Sequence, residues 1–339
     1  MSRSGRTFKA PSIADGQPAG AAPSFTVVIA VHNGEETIAT AIDSALEQTV
    51  APAQLIVCDD GSTDGTGAVV EPYGDRITYA RKDHGGVASA RNAALAIATG
   101  EFFAVLDADD TYEPERLEAL TELALERPDL DILCTDVFFE HRGELVGRFT
   151  SGCPFEVLEQ RAAILERCFC IAPAVRRRTL NAVGGFDESL RTGSDWECAI
   201  RLIHSGASAG MVEEALYGYR IEGGSLTSNR IETLRDRLFF LERAGRSLEL
   251  GETETAALDQ SLAAQRNALV LAEAEAALRL RADDARRRAL AAARSPGVAF
   301  RARASALAAA LAPRAAGHVL ERRARRTGTS RLARPVPRG

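Results

Sequence analysis

The sequence predicts an α/β protein in which a mostly parallel sheet is flanked by helices and followed by a C-terminal helical extension. From Phe25 onwards, short apolar segments alternate with helical segments, which is the pattern of strands joined by helical crossovers. The apolar segments are continuous rather than alternating, as in strands covered on both faces. After Arg230 the chain consists largely of Ala, Leu, Arg and Glu, most of which favour helices.

The individual elements follow from these runs and from the residues that end them. The first strand is rich in β-branched residues, and the apolar positions of the segment after it fall on one helical face. Pro114 suits the first turn of a later helix, and Ser194 is a candidate N-cap. The predicted strands are 25–31, 55–58, 77–80, 102–106 and 131–139. The predicted helices are 35–48, 89–98, one that begins near 114, and 194–203.

Composition divides the chain into four regions. The start of the chain is polar and rich in Gly and Pro, so it buries too little apolar surface to offset the entropy of ordering. The end is rich in Ala and Arg and is interrupted by four prolines. We therefore expect a flexible leader at 1–23, an α/β domain at 24–230, a helical appendage at 231–294 and a partly ordered basic tail at 295–339.

Charge is distributed unevenly between these regions. The formal net charge is -6, but residues 281–339 hold 15 Arg against 3 acidic residues, which leaves -18 on residues 1–280. An acidic body disfavours nucleic-acid binding, because phosphate contacts need a positive surface. For the basic end we favour a solvated helical extension. Peripheral attachment to anionic lipid is the second alternative, and nucleic-acid binding is the third.

The sequence also predicts a cytoplasmic location. The first 23 residues contain no apolar core of the kind found in a signal peptide. No apolar run approaches the roughly 20 residues of a membrane-spanning helix. The six cysteines form no Cys-x-x-Cys pair, and we interpret them as reduced core residues.

Three carboxylates directly follow the predicted strand 102–106. Asp107, Asp109 and Asp110 would repel one another unless a cation or hydrogen-bond donors compensate their charge. Hard oxygen ligands with room for water and phosphate suit Mg2+ or Mn2+ bound to a diphosphate. The alternative is a solvated turn in which Asp caps a helix.

Two further segments end or follow strands at the same predicted edge, where ligands collect in parallel α/β sheets. Asp59 and Asp60 precede Gly61, and one carboxylate could accept a hydrogen bond from a base N–H or a ribose hydroxyl. The alternative is a turn in which the acids bond their own backbone. The segment from Gly85 to Arg91 leads into a helix start, which favours a phosphate. There is no Gly-x-Gly-x-x-Gly after the first strand and no Walker sequence.

The order and spacing of these segments resemble the family 2 glycosyltransferases, which are nucleotide-sugar-dependent enzymes with the GT-A fold. The resemblance covers roughly residues 25 to 228, and the ordered set is specific although each motif is weak. The matching segments are 27–38, 58–64, 85–92, 100–110, 112–116, 184–188, 195–197 and 219–220.

The resemblance implies a role for each matching residue. Ala30, His32, Asn33 and Glu36 would line the nucleotide, Asp60 would hydrogen-bond the base, and Arg91 would approach the nucleotide. Asp107-Ala108-Asp109 corresponds to the family's Asp-x-Asp. Asp107 would lie near the ribose and Asp109 would bind the metal, Mn2+ or Mg2+, with Asp107 and secondarily Asp110 in support. Asp195 matches the general base of inverting members.

The implied reaction is transfer of a sugar from a nucleotide-diphosphate sugar, with UDP-sugars favoured, to a saccharide, lipid-linked or other hydroxyl acceptor. Two departures from the family pattern are Ser194, where many members carry Glu, and His32, where Tyr is commoner. The competing functions are a sugar nucleotidyltransferase and a catalytically inactive binding protein with the same fold. The acidic loop 32–36 disfavours the first, because activation of a triphosphate usually needs a basic loop there.

Overall fold

The structure is a computed structural model that describes residues 6–9, 22–221, 230–295, 297–313, 316–317 and 319–320. The chain divides into two compact units, Met1–Ile221 and Glu222–Gly339. Among the described residues, no helix is both long enough and apolar enough to cross a membrane.

The first unit is built around one mixed sheet of ten strands. The strands are β1 Phe8–Lys9, β2 Phe25–Val31, β3 Gln54–Asp59, β4 Thr78–Arg81, β5 Phe102–Asp107, β6 Thr111–Tyr112, β7 Ile132–His141, β8 Glu144–Arg148, β9 Ala174–Arg176 and β10 Ala209–Arg220. The helices of this unit are α1 Ile38–Leu46, α2 Thr66–Val70, α3 Val87–Ile97, α4 Arg116–Glu126, α5 Phe149–Gly152, α6 Gln160–Glu166, α7 Arg177–Ala182 and α8 Ser194–His204, with a 3-10 helix at Glu71–Arg76.

The strand order is β1-β10-β7-β9-β5-β2-β3-β4, with β6 on β10 and β8 on β7. The pairs among β4, β3, β2 and β5 are parallel, as predicted, and so is the pair β7 and β10. The short β9 lies antiparallel between β5 and β7, so the mostly parallel sheet includes short antiparallel pairs. Only three residues long, β9 carries no pattern from which its direction could be predicted.

The centre of the sheet explains why the acidic segments meet. Strand β2 is buried along nearly its whole length and pairs with β3 on one side and β5 on the other. In this register Ala30 lies opposite Cys58 and Asp107, and Val31 lies opposite Asp59. Parallel strands end at the same edge, so both acidic segments flank the end of β2.

Some elements differ from the sequence prediction. Residues 6–9 were expected within a flexible leader, yet Phe8–Lys9 pair with β10 and Arg6 forms ion pairs with Glu118, Glu122 and Glu214. These long-range contacts stabilise the segment, and no local pattern signals them. Residues 1–5 and 10–21 of that leader lie outside the described residues.

The first helix was expected from residue 35 but begins at Ile38. The preceding loop instead bonds to the loop after β3. Gly34 N–H donates to Thr66 Oγ1 at 2.9 Å and Glu35 N–H donates to Asp64 Oδ2 at 3.1 Å. These bonds give partners to N–H groups that have none within a helix.

The second unit is helical. Its helices are α9 Arg230–Ser247, α10 Glu252–Arg279, α11 Ala285–Arg294 and α12 Phe300–Leu311. A small apolar cluster of Ala277, Leu278, Ala285, Ala289 and Ala310 joins α10, α11 and α12. The predicted basic tail therefore contributes one helix to this unit, while residues 321–339 lie outside the described residues.

Candidate active site

Asp59 and Asp60 are adjacent at the end of β3 but have different surroundings. Asp59 is fully buried and accepts hydrogen bonds from the Ser62 N–H at 2.7 Å and the Tyr79 hydroxyl at 2.6 Å. Burial opposes ionisation, but these bonds outweigh it and lower the pKa of Asp59. Asp59 thus bonds the backbone of its own turn, as the alternative interpretation of this segment predicted.

The Asp60 carboxylate is held by the loop after β4. It accepts hydrogen bonds from Lys82 Nζ at 2.9 Å, the Gly85 N–H at 2.9 Å and the Gly86 N–H at 2.7 Å. Burial acts against the charged form, but the Lys82 ammonium and the two N–H groups outweigh it and lower the pKa of Asp60. Asp60 is therefore ionised and is held in place by hydrogen bonds from the loop after β4.

The loop after β2 holds the other predicted nucleotide residues. Asn33 has a positive φ of 55°, and its Oδ1 accepts the Thr63 N–H at 2.8 Å. The His32 ring lies beside the His84 ring, with 4.2 Å between their centroids. His32 and Glu36 are exposed, while Ala30 is half-buried. The structure thus brings His32 close to Asp60 at one end of the carboxyl edge, while Ala30 lies opposite Cys58 in the sheet.

Arg91 lies on α3 and is buried. Its guanidinium donates to Asp107 Oδ1 at 2.6 Å, and it lies over the Phe186 ring, 5.5 Å from the centroid. Burial opposes its charge, but the negative charges of Asp107 and then Asp195 outweigh this and raise the pKa of Arg91. Asp107 at the end of β5 therefore pairs with Arg91, and the charge of Asp195 on α8 also acts on it.

Asp110 is buried, although the sequence predicted only a supporting role for it. Its oxygens accept hydrogen bonds from the Tyr217 hydroxyl at 2.7 Å and the Arg220 N–H at 2.9 Å. Burial and the negative charge of Asp107 raise its pKa to about 8, against the effect of these two bonds. At neutral pH Asp110 therefore keeps its proton, so the negative charge of the segment comes from Asp107, which pairs with Arg91, and from Asp109.

The oxygens of this segment are of the type that binds a divalent cation. Asp107 is 39% exposed and Asp109 is half-buried, so their hard oxygen donors could take part in binding from the cleft. Within the described part of the chain, Asp107, Asp109 and Asp110 do not form a group of converging ligands. A metal here would take its remaining ligands from water and phosphate, as Mn2+ and Mg2+ commonly do.

Asp195 stands exposed in the first turn of α8, where the helix dipole favours a carboxylate. The helix is positioned by Trp196, whose indole N–H donates to the Ile164 carbonyl at 2.6 Å. The preceding loop is fixed by the Asn92 carboxamide, which accepts the Phe186 N–H and donates to the Phe186 carbonyl, both at 2.8 Å. These contacts give Asp195 a defined position at the carboxyl edge.

Sequence reasoning missed three residues that form this site. Tyr217 on β10 contacts Asp110 and also accepts the Asp107 N–H at 3.3 Å. Lys82 and His84 both contact Asp60. His84 and Lys82 stand just before Gly85-Gly86, which was a usable signal, whereas nothing near Tyr217 in the sequence indicates its partner.

The fold, with acidic segments at the carboxyl edge of its sheet, is the GT-A fold seen in solved glycosyltransferases. TarS from S. aureus in complex with UDP-GlcNAc has a TM-score of 0.59 at 21% identity, with 90% of this chain and 92% of that chain covered. The mannosyltransferase PcManGT from Pyrobaculum calidifontis, in complex with GDP-Man and Mn2+, has a TM-score of 0.55 at 21% identity, with 93% and 91% covered. At 21% identity, this structural similarity is evidence for the fold alone.

Residues 26–184, just under half of the chain, match the model of glycosyl transferase family 2. A relative is the succinoglycan biosynthesis protein ExoO of Rhizobium meliloti, which is 32% identical over 220 residues, 60% of this chain and 63% of that protein. These findings confirm the resemblance, the GT-A fold and a glycosyltransferase function. They favour glycosyl transfer over the alternative of a sugar nucleotidyltransferase.

Proposed function

We propose that this glycosyltransferase moves a sugar from a nucleoside diphosphate sugar to an acceptor hydroxyl by a single displacement with inversion, as a hexosyltransferase. The observation that carries the proposal is that two acids of the predicted site act on Arg91. Its guanidinium pairs with Asp107 of the Asp-x-Asp segment and is influenced by the charge of Asp195. One cleft would thus hold both the leaving diphosphate and the attacking hydroxyl.

The nucleotide would lie at the end of the cleft formed by the loops after β2 and β3. Ala30, His32, Asn33 and Glu36 would line it. The buried, ionised Asp60 would accept from the base or would position the loop 82–86 against it. The solved structures of TarS with UDP and of PcManGT with GDP-Man support a nucleotide-sugar donor. We propose a UDP-sugar.

Asp109, supported by Asp107 and secondarily by Asp110, would hold Mn2+ or Mg2+. When bound, the metal supplies positive charge to the departing diphosphate, an effect worth several kcal/mol in such reactions. The Mn2+ in PcManGT supports this choice. Arg91 adds a fixed positive charge beside the same segment, because its pairing with Asp107 keeps the guanidinium in place.

The Asp195 carboxylate would take the proton of the acceptor hydroxyl. The acceptor oxygen forms a bond to the anomeric carbon while the bond from that carbon to the phosphate oxygen breaks, and its electron pair leaves with the diphosphate. Attack from the opposite side inverts the carbon. General base help of this kind is typically worth ~10²- to 10⁴-fold in rate. The acceptor would be a saccharide, lipid-linked or other hydroxyl, as the biosynthetic role of ExoO suggests.

The test is the Asp195→Asn variant. We expect it to keep UDP affinity within about twofold and to lose at least about 10²-fold in turnover, because only the proton acceptor is removed. The matched control is Asp129→Asn, an acid before β7 at the opposite edge of the sheet that pairs with Arg127. Parent-like turnover in Asp195→Asn would contradict the assignment, as would an equal loss in the control.

We also propose that the second unit contacts an anionic bilayer. Three apolar side chains of α12 and the residues after it are exposed: Leu307, Leu311 and Val319. Arginines surround them in the sequence, and the net charge of residues 281–339 is +12. An exposed apolar face beside basic residues is typical of peripheral membrane attachment.

A further inference from the structure

Three side chains converge beside Asp60 at the nucleotide end of the cleft. His32, Asp60 and His84 each offer one ligand atom, and these atoms lie within 4.8 Å of one another. Among the described residues, this is the one group of three or more His, Cys, Asp or Glu side chains with that geometry. The three residues follow three neighbouring parallel strands, β2, β3 and β4.

The two imidazoles already point at a common position. His32 Nδ1 lies 2.9 Å from the Asp60 carbonyl oxygen, and His84 Nδ1 lies 3.1 Å from the same oxygen. His84 Nδ1 is also 2.9 Å from Asp60 Oδ2. Two nitrogens, a carboxylate oxygen and a carbonyl oxygen are therefore gathered around one point before any metal binds.

The backbone keeps this arrangement in place. Gly61 has a φ of +74°, and a Cβ there would lie 2.8 Å from the backbone nitrogen of His84, so only glycine allows the two loops to approach this closely. The two rings also pack on each other at an interplanar angle of 34°. The entropy lost on binding a metal is thereby reduced, because the ligands have little freedom left to lose.

We propose that His32, Asp60 and His84 form a binding site for Zn2+ or a similar late first-row metal, distinct from the Asp107 and Asp109 segment. Imidazole with one carboxylate is the donor set that suits zinc, whereas Mg2+ and Mn2+ prefer oxygen ligands. A metal binds Nδ1 only when that nitrogen is unprotonated, so the single proton of each neutral imidazole moves through solvent to Nε2. Each imidazole then carries its single proton on Nε2, and on His32 this displaces the Asn33 amide group, which now lies 3.2 Å away.

Lys82 sets the strength of this site. Its Nζ lies 2.9 Å from Asp60 Oδ1, the oxygen opposite the one that faces His84. The ammonium repels an incoming cation and neutralises the carboxylate that would bind it. The site therefore binds zinc more weakly than an isolated set of the same ligands, and removal of the Lys82 charge strengthens it.

The position of the site gives it a consequence for catalysis, which rests on the proposed function. The proposed nucleotide pocket includes His32 and Asp60, so zinc bound there competes with the nucleotide-sugar donor. This inhibitory metal differs from the Mn2+ or Mg2+ that assists the reaction, because its ligands and its position differ.

The test titrates the full chain with Zn2+ alone, without nucleotide, by calorimetry, and with Co2+ by visible absorption. We expect His84→Asn to weaken Zn2+ binding at least about tenfold. We expect Lys82→Met to strengthen it several-fold. Asp109→Ala and the control His141→Gln, a histidine elsewhere in the fold, should leave it unchanged. The parent should give the intense Co2+ bands of four-coordinate geometry, and His84→Asn should lose them.

Equal Zn2+ affinity in the parent and His84→Asn would overturn the proposal, as would its loss in Asp109→Ala. A parent chain that binds no Zn2+ would also overturn it. Because nucleotide is absent from these titrations, their outcome does not depend on the proposed transfer reaction. If Zn2+ then competes with UDP for binding to the parent but not to His84→Asn, the zinc site overlaps the proposed nucleotide pocket.

Discussion

Replacement of Asp110 by Asn is expected to change how the stability of the first unit depends on pH. Asp110 is buried, and burial together with the negative charge of Asp107 raises its pKa to about 8. In the unfolded chain an Asp has a pKa of about 3.9. Between these values the folded protein keeps a proton that the unfolded chain has lost, so the parent becomes less stable as the pH rises.

The magnitude follows from the linkage relation. One proton of difference changes the free energy of unfolding by about 1.4 kcal/mol per pH unit, so from pH 5 to pH 7 the parent loses about 3 kcal/mol through this group. The carboxamide of the Asp110→Asn variant has no such proton. It is isosteric with the carboxyl group, and it can still accept the Arg220 N–H and contact the Tyr217 hydroxyl. The stability of Asp110→Asn relative to the parent should therefore grow by that amount across the interval and level off above about pH 8.

The assay is urea unfolding at a series of pH values, followed by the fluorescence of Trp196. This is the single tryptophan of the chain and is buried in the first unit, so it reports on that unit. Asp75→Asn, an exposed acid, controls for the removal of one negative charge. Parallel curves of stability against pH for the parent and Asp110→Asn would refute the reasoning.

Three further predictions concern the metal, the loop before Asp195 and the second unit. Asp109→Ala should remove the dependence of UDP affinity on Mn2+ in calorimetry, and equal parent affinity with and without Mn2+ would contradict this. Asn92→Ala leaves the backbone groups of Phe186 without partners and should lower the free energy of unfolding by about 1 to 3 kcal/mol in the same urea assay. A change below that range would show that the loop is held elsewhere. Leu311→Ser should reduce co-sedimentation with anionic vesicles, with zwitterionic vesicles as the control, and unchanged sedimentation would exclude the proposed contact.

The strands at the centre of the sheet were predictable from the sequence. The run Phe25–Val31 is buried because it pairs with strands on both sides, and its continuous apolar character reports that burial directly. The same logic located Asp60 and Asp107 at one edge, since acids that follow parallel strands meet there. Neither inference needed the distance between any two side chains.

Long-range pairing was not predictable in the same way. Strand β10 lies beside β7, and its Tyr217 contacts Asp110, more than a hundred residues earlier in the chain. The direction of β9 and the pairing of Phe8–Lys9 with β10 depend on similar contacts. A local pattern contains no information about such partners, because they are chosen by packing across the whole sheet.

By itself, the sequence predicted the resemblance to family 2 glycosyltransferases, the GT-A fold and the acids at the carboxyl edge, because these follow from local hydrophobic runs and from motifs in a fixed order. Only the tertiary structure decided what each acid does. Asp59 closes a turn, Asp60 meets Lys82 and two histidines, and Asp110 is buried with a raised pKa. The physical reason is that the free energy of a carboxylate depends on its burial and on the charges around it, which come from distant parts of the chain.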